Sequence, residues 1–310
     1  MSTPTQKVSL KEIEVQLALG SVSVDDLPLL VAQLDTTEDV EEFVKYLLSH
    51  ARRKGISLKI TELIRILRAA LKNPNAKAPA FISAASHKST RIRSAVAIHP
   101  WTPPEILAYL ANDSKEAVKA AVAENIKAPV EILEKLYDPS DNSTYSCRAL
   151  RNANASAQMQ TDAINIGTMR HLQIIASNHT RIFRMSGVID VMIDRVMAGI
   201  SADTSVGGAI NALSTIIWSS QRHTVPISAD TVRKHAYHPN SSVREAFALS
   251  PSTPIDVLLS YLRDPVIKVR CKAISTGRIP TTQLKLRFLA ENSEKVKKAI
   301  EHQLAKELKK

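Results

Sequence analysis

Arg93, Lys119, Arg244 and Arg270 each follow an aliphatic residue inside a phrase that recurs along the chain. Cations repeated at one equivalent position can line up on a stacked array. An aligned row of cations suits a polyanion, whose affinity is dominated by neutralisation of its backbone. A second reading stays open at this point. Each cation could instead close carbonyls or pair with a carboxylate such as Asp113, Asp138 or Asp264 and hold the array together. Further along, Lys268, Lys272, Arg278, Lys285 and Arg287, with Arg263, Lys295, Lys297 and Lys298, make the last stretch basic. Glu291, Glu294, Glu301 and Glu307 dilute that patch, so a solvated cationic face is the alternative to binding.

The elements that must position these cations follow from the repeat. Residues 92–107 read Ile-Arg-Ser-Ala-Val-Ala-Ile-His-Pro-Trp-Thr-Pro-Pro-Glu-Ile-Leu, and residues 243–258 read Val-Arg-Glu-Ala-Phe-Ala-Leu-Ser-Pro-Ser-Thr-Pro-Ile-Asp-Val-Leu. Seven positions are identical at a separation of 151 residues, and the same unit recurs locally at a spacing of 26. A fixed period of this size marks a stacked repeat array. Within one unit Thr102 reads as an N-cap, Pro103 as the first helical residue and Glu105 as the partner in a capping box. The helix would bury Ile106, Leu107 and Leu110, stop near Asn112-Asp113-Ser114, and be followed by a second short helix with Val118, Ala121 and Val122 on one face. Helices of about ten residues are marginal alone and must bury their stripes against neighbouring repeats.

Four segments follow. Residues 1–78 read as an N-terminal helical cap, with apolar spacing over Leu10–Leu19, Val24–Leu34, Val40–His50 and Lys59–Leu71. Thr37 and Thr61 look like helix starts, Gly55 a stop, and residues 73–79 a hinge or linker. Residues 79–155 hold the first repeat block, its last copy degenerate, with Cys147 aligned on Lys119. Over 156–235 the period is lost, although Met169–Ser177, Val188–Met197 and Ala209–Ser219 read as helices and Asp203 to Gly208 as a loop. The array resumes over 236–310 and ends in a basic tail. The charge follows this division: residues 236–310 carry 14 basic and 7 acidic groups, most of the net +11.

The phrase Val-Arg-x-Ala-x-Ala-x-x-Pro-x-Thr-Pro, followed by aliphatics and Asp264-Pro265 or Asn112-Asp113, resembles the bacterial variant leucine-rich repeat. It is more distantly similar to HEAT repeats. The resemblance covers residues 81–155 and 238–300 and implies a right-handed α-solenoid of short helices with no sheet. HEAT-like repeats also use the arginine position as a structural ladder. The iron–sulfur centre of the founding family member is not carried over, because no cysteine precedes Cys147.

Composition narrows the function. Aromatic content of 4% and two cysteines, Cys147 and Cys271, give neither a disulfide framework nor a zinc site, and a reducing cytoplasm is expected. Residues 1–7 lack the apolar core of a signal peptide, and no segment reads as a membrane span. Asn-x-Ser/Thr triplets at Asn142, Asn178 and Asn240 carry no meaning in that compartment. Trp101 with Asp190 or Asp194 could be imagined in the role of a helical-repeat DNA glycosylase, but packing or surface placement accounts for the tryptophan. His235 and His238 lack a third metal ligand, and Gly207-Gly208 lacks the lysine of a phosphate loop and reads as a turn. No cofactor and no catalytic site are expected. The expected function is non-enzymatic binding, with nucleic acid, duplex DNA ahead of RNA, as partner. An acidic protein surface and a protein–protein scaffold are the alternatives.

Overall fold

The computed structural model describes residues 9–18, 22–50, 58–178, 180–201 and 206–308. Met1–Lys7, Gly55 and Asp203–Ser205, each given a reading above, lie outside these. Among the described residues the fold is all-α, with no strand. The chain divides into two compact units, Met1–Ser156 and Ala157–Lys310.

Among the described residues of the first unit ten helices follow one another: α1 Leu10–Ala18, α2 Leu27–Val31, α3 Thr37–His50, α4 Ile60–Lys72, α5 Ala78–Ala85, α6 Thr90–Ala97, α7 Pro104–Leu110, α8 Glu116–Glu124, α9 Val130–Leu136 and α10 Thr144–Arg151. They sort into two rows. The even-numbered helices pack in succession, α2 on α4, α4 on α6, α6 on α8 and α8 on α10, while α3 packs on α5 and α5 on α7. The stripes that drive this are the apolar ones expected from sequence: Ile92, Val96, Leu107, Leu110, Val118, Val122 and Leu133 are completely buried. Helices of seven to nine residues are held because each buries its stripe between two others.

The second unit continues with α11 Ala157–Asn165, α12 Met169–Asn178, α13 Thr180–Phe183, α14 Val188–Ser201, α15 Val206–Arg222, α16 Ala229–His235, α17 Ser241–Leu249, α18 Ile255–Tyr261, α19 Ile267–Ser275, α20 Thr281–Ala290 and α21 Glu294–Glu307. Here too one row runs through: α12 packs on α15, α15 on α17, α17 on α19 and α19 on α21. The segment whose sequence loses the period therefore keeps the packing relation. Gly207 and Gly208 lie in the first turn of α15 and not in a turn between elements. They are exposed, and the buried stripe of Ala209, Ala212, Leu213 and Ile216 carries the helix past them.

Two further readings are corrected by hydrogen bonding. Thr102 does not cap α7, whose N-cap residue is Pro103. Its hydroxyl turns back and donates to Val96 O at 2.5 Å, and Thr253 does the same to Phe247 O at 2.5 Å. Both threonines are buried, so closing a carbonyl at the preceding helix end outweighs capping the next one. The segment 73–79 holds Asn73, which is buried and bonded across the unit to Val31 O and Leu34 O, each at 3.0 Å.

Within the irregular part, Arg195 closes the end of α11, donating to Ile164 O at 2.6 Å and Gly167 O at 2.7 Å. That geometry needs a glycine: a Cβ at Gly167 would stand 2.5 Å from Ala163 O, a backbone atom that cannot swing away. Gly167→Ala should therefore destabilise the second unit by roughly 1–3 kcal/mol, as overpacking does. Urea denaturation checks it; an unchanged midpoint would show that the turn relaxes freely.

Candidate nucleic-acid interface

The repeated arginines are built into the fold. Arg93 forms a two-pronged pair with Asp113 (2.6 and 3.0 Å) and donates to His87 O and Lys88 O at 3.0 and 3.1 Å. Arg244 repeats this with Asp264 (2.6 and 3.1 Å) and with His238 O and Pro239 O at 2.8 and 2.7 Å. Arg270 donates to Asp264 O at 2.7 Å and Pro265 O at 3.2 Å and meets Glu291 at 3.1 and 3.2 Å. In each case the carboxylate lies 20 or 21 residues after the arginine and also accepts an amide two residues further on. Those amides belong to Lys115, Val266 and Ser293, at 2.8, 2.8 and 2.9 Å. One side chain thus ties the end of one repeat to the start of the next, in fork-shaped geometry that only arginine offers.

Electrostatics agree with this geometry. The Arg93 hydrogen bonds hold the Asp113 carboxyl below the ordinary carboxylate range, against the opposing effect of burial. Burial by itself would raise Glu291, but the Ser293 amide and the guanidinium groups of Arg287 and Arg270 leave it lowered.

The register of the last copy in the first unit is set by a different residue. Asn125 and Asn152 occupy the same turn, 27 residues apart, which places Ser146, not Cys147, at the Lys119 position. Ser146 serves there as the arginines do elsewhere, donating to Asp138 O at 2.9 Å while accepting the Asp138 amide at 2.9 Å. Lys119 itself lies with its ammonium 5.1 Å from the centre of the Tyr145 ring.

Among the remaining site residues, Arg278 donates to Pro251 O at 2.7 Å, and Arg287 grips Glu291 at 2.6 and 3.0 Å. Lys268, Lys272 and Lys285 are exposed and make no ion pair among the described residues. Lys268 and Lys272 are four apart and share the outer face of α19, since Val269, Arg270, Ala273 and Ile274 are its buried residues. On α21, packed against α19, Lys295 and Lys298 are likewise exposed. Lys295 reaches close enough to Cys271, between the α19 lysines, to oppose the upward push that burial gives that thiol. Two exposed lysines thus stand on each of two adjacent helices. Mutual repulsion on such a surface is relieved by an anionic partner.

An internal system that the charged residues concealed is made of asparagines. Asn73, Asn125 and Asn152 follow the even-numbered helices, and each Nδ2 donates back to two carbonyls at the end of the preceding even-numbered helix. Asn125 reaches Ala97 O and His99 O at 2.8 and 2.9 Å, and Asn152 reaches Ala123 O and Asn125 O at 2.8 and 2.9 Å. Each Oδ1 accepts the amide two residues on, at 2.8 to 2.9 Å. His99 takes this place between Asn73 and Asn125, with Nε2 3.2 Å from Arg68 O, and burial lowers its pKa. The signal in the sequence was Asn-x-x-Ala at 73, 125 and 152.

The other chemical candidates have partners. Trp101, in the first unit, is 60% exposed beneath Lys127. In the second unit Asp190 accepts the Ser228 amide at 3.0 Å, and Asp194 holds Lys234 at 2.9 Å and His235 at 2.6 Å. His238 accepts the Asn240 amide at 3.1 Å, and among the described residues no group of three His, Cys, Asp or Glu side chains could hold a metal. No helix of the described residues is long and apolar enough to cross a membrane. No family model matches the chain, and no curated protein is found to match it.

Proposed function

We propose that the chain is a non-enzymatic α-solenoid binding protein that engages the backbone of duplex nucleic acid through its last repeats. The observation that carries this is the separation of roles among the cations. Arg93, Arg244 and Arg270 are held by carboxylates and carbonyls inside the fold, whereas Lys268 and Lys272 on α19 and Lys295 and Lys298 on the adjacent α21 are exposed and make no ion pair among the described residues. Backbone contact by flexible ammonium groups is sequence-independent and needs no aromatic platform, which fits a face without exposed aromatics better than single-strand recognition does. The right-handed solenoid implied by the repeat phrase would present this face along an extended surface.

The test is a fluorescence-anisotropy titration against duplex DNA, single-stranded DNA and duplex RNA. With four lysines engaged, log affinity should fall against log salt with a slope of roughly −3 to −4. Reversing Lys268 and Lys272 to glutamate should weaken duplex binding about tenfold or more while leaving the helix content unchanged. Absence of binding at low salt, or affinity indifferent to the reversal, would retire the proposal.

A further inference from the structure

The outer face of α20 is constructed differently from its counterparts in the other repeats. By the spacing of Pro103, Pro254 and Pro280, Leu107 and Leu110 of α7 correspond to Leu258 and Tyr261 of α18 and to Leu284 and Arg287 of α20. Leu110 and Tyr261 are buried core residues. In α20 that inward position holds Arg287, whose charge is met by the buried Glu291. The apolar side chains have moved outward instead. Leu286 is 62% and Leu289 is 83% exposed, three residues apart on one face. A solvent-facing helix surface is normally polar. Here the expected order is reversed, with a charge inside and leucines outside, and this is not what stability or solubility would select.

A groove of about 530 Å³ runs beside these leucines, between α18 and α20. Leu259, Leu262 and Arg263 line it from the α18 side and Gln283, Leu286 and Arg287 from α20. Arg263 and Lys285, the residue next to Leu286, are both exposed and make no ion pair among the described residues. Leucines on both sides of the groove, the exposed Leu289 beside it and unpaired cations nearby match one kind of occupant. It is a helix with an apolar stripe to lie in the groove and carboxylates beside the stripe to meet the cations. A second copy of this chain is a poor fit, because a two-fold interface would place Arg263 and Lys285 against the same cations of the other molecule.

We infer that the groove between α18 and α20 is a docking site for an acidic amphipathic helix of a partner protein. This goes beyond nucleic-acid binding and does not depend on it, since the lysines of α19 and α21 are not among the groove residues. Leu286 and Leu289 supply the apolar anchors and Arg263 and Lys285 select the charge of the partner.

The experiment is selection of a phage-displayed library of randomised peptides, about four helical turns long, on the full chain. Counter-selection uses the Leu286→Glu/Leu289→Glu variant. Enriched peptides should carry Leu, Ile or Phe at i, i+3 or i+4, and i+7, with Asp or Glu flanking them. A synthetic copy should bind the double variant about tenfold more weakly or worse, as loss of central anchors does. The Arg263→Glu/Lys285→Glu variant should weaken it too. Both leucines are exposed, so circular dichroism should be unchanged; if the glutamates perturb the helix, Leu286→Ala/Leu289→Ala gives the same comparison. Failure to enrich any peptide over the counter-selection would overturn the proposal. So would enriched peptides without the acidic and apolar pattern, or full affinity for the leucine variants with displacement by duplex DNA. Duplex-DNA titration of the leucine variant, expected to match that of the unaltered chain, separates this site from the lysine face.

Discussion

Asp264→Ala should lower the stability of the second unit by about 3–5 kcal/mol, the cost of removing one partner of a buried ion pair. The Asp264 and Arg244 side chains are 5% and 11% exposed, so solvent does little to screen their pair. With the carboxylate gone, the Arg244 guanidinium keeps only His238 O and Pro239 O as acceptors, and the Val266 amide loses its own. The turn displaced by this loss also holds a second arginine, through a carbonyl that the alanine keeps. The Asp264 backbone carbonyl also receives Arg270, so the same residue joins the α17 arginine to the α19 arginine. Hydrogen exchange should accelerate across α17 and α19 together. Asp256→Ala is the control: Asp256 also faces an arginine, Arg233, but both side chains are more than half solvent-exposed or close to it, and exposed pairs contribute little. Equal losses in the two variants, measured by urea denaturation, would show that the Arg244–Asp264 pair is not structural.

Much of the architecture was legible in the residues. The stripes of Ile106, Leu107 and Leu110, and of Val118 and Val122, are the ones buried, and the all-α class follows from them. The role of the repeated cations was less legible. A guanidinium that binds phosphate and one that clamps a fold look the same in a sequence until the acceptor is found. Asp113 and Asp264 stood among the candidate acceptors in the sequence, but Glu291 read only as diluting the basic patch, and a spacing of 20 to 21 residues lies beyond the reach of helical periodicity. Thr102 misled for a related reason. A threonine before proline satisfies the rule for capping a helix start, yet the carbonyl of Val96 was nearer to need.

The central segment shows what the repeat phrase records. From α12 to α15, and on to α17, the packing row continues although the phrase is absent before α17. The phrase is therefore a signature of turn chemistry: an arginine closing carbonyls, a threonine folding back, and an asparagine or histidine at the helix end. Where helices are longer, as in α14 and α15, a continuous apolar stripe does the joining, and the turn residues are free to differ. Periodicity in sequence fades there while the packing of helix on helix continues.

The asparagine turns invite the most direct test of this view. Asn125 is 1% exposed and its side chain satisfies three backbone groups at once: Ala97 O, His99 O and the Lys127 amide. Asn125→Ala takes these bonds away, leaving Ala97 O and the Lys127 amide without them while His99 O keeps the Thr102 amide at 3.1 Å, and a loss of about 1–3 kcal/mol is expected from the first unit. Asn125→Asp should cost more than alanine, because a carboxylate cannot donate and would face two carbonyl oxygens in a site shut off from water. The exposed Asn112 provides the comparison, since Asn112→Ala should stay within about 0.5 kcal/mol. The distinction also predicts the form of unfolding. The bonds of Asn125 run from the end of α8 to the end of α6, and those of Asn152 from the end of α10 to the end of α8. They couple neighbouring helices of one row and nothing more distant, so weakening one should loosen the link between adjacent repeats. The urea transition of Asn125→Ala should accordingly be broader as well as earlier. A transition that moves without broadening would mean that the turn contributes stability locally and that the apolar stripes alone transmit cooperativity along the row.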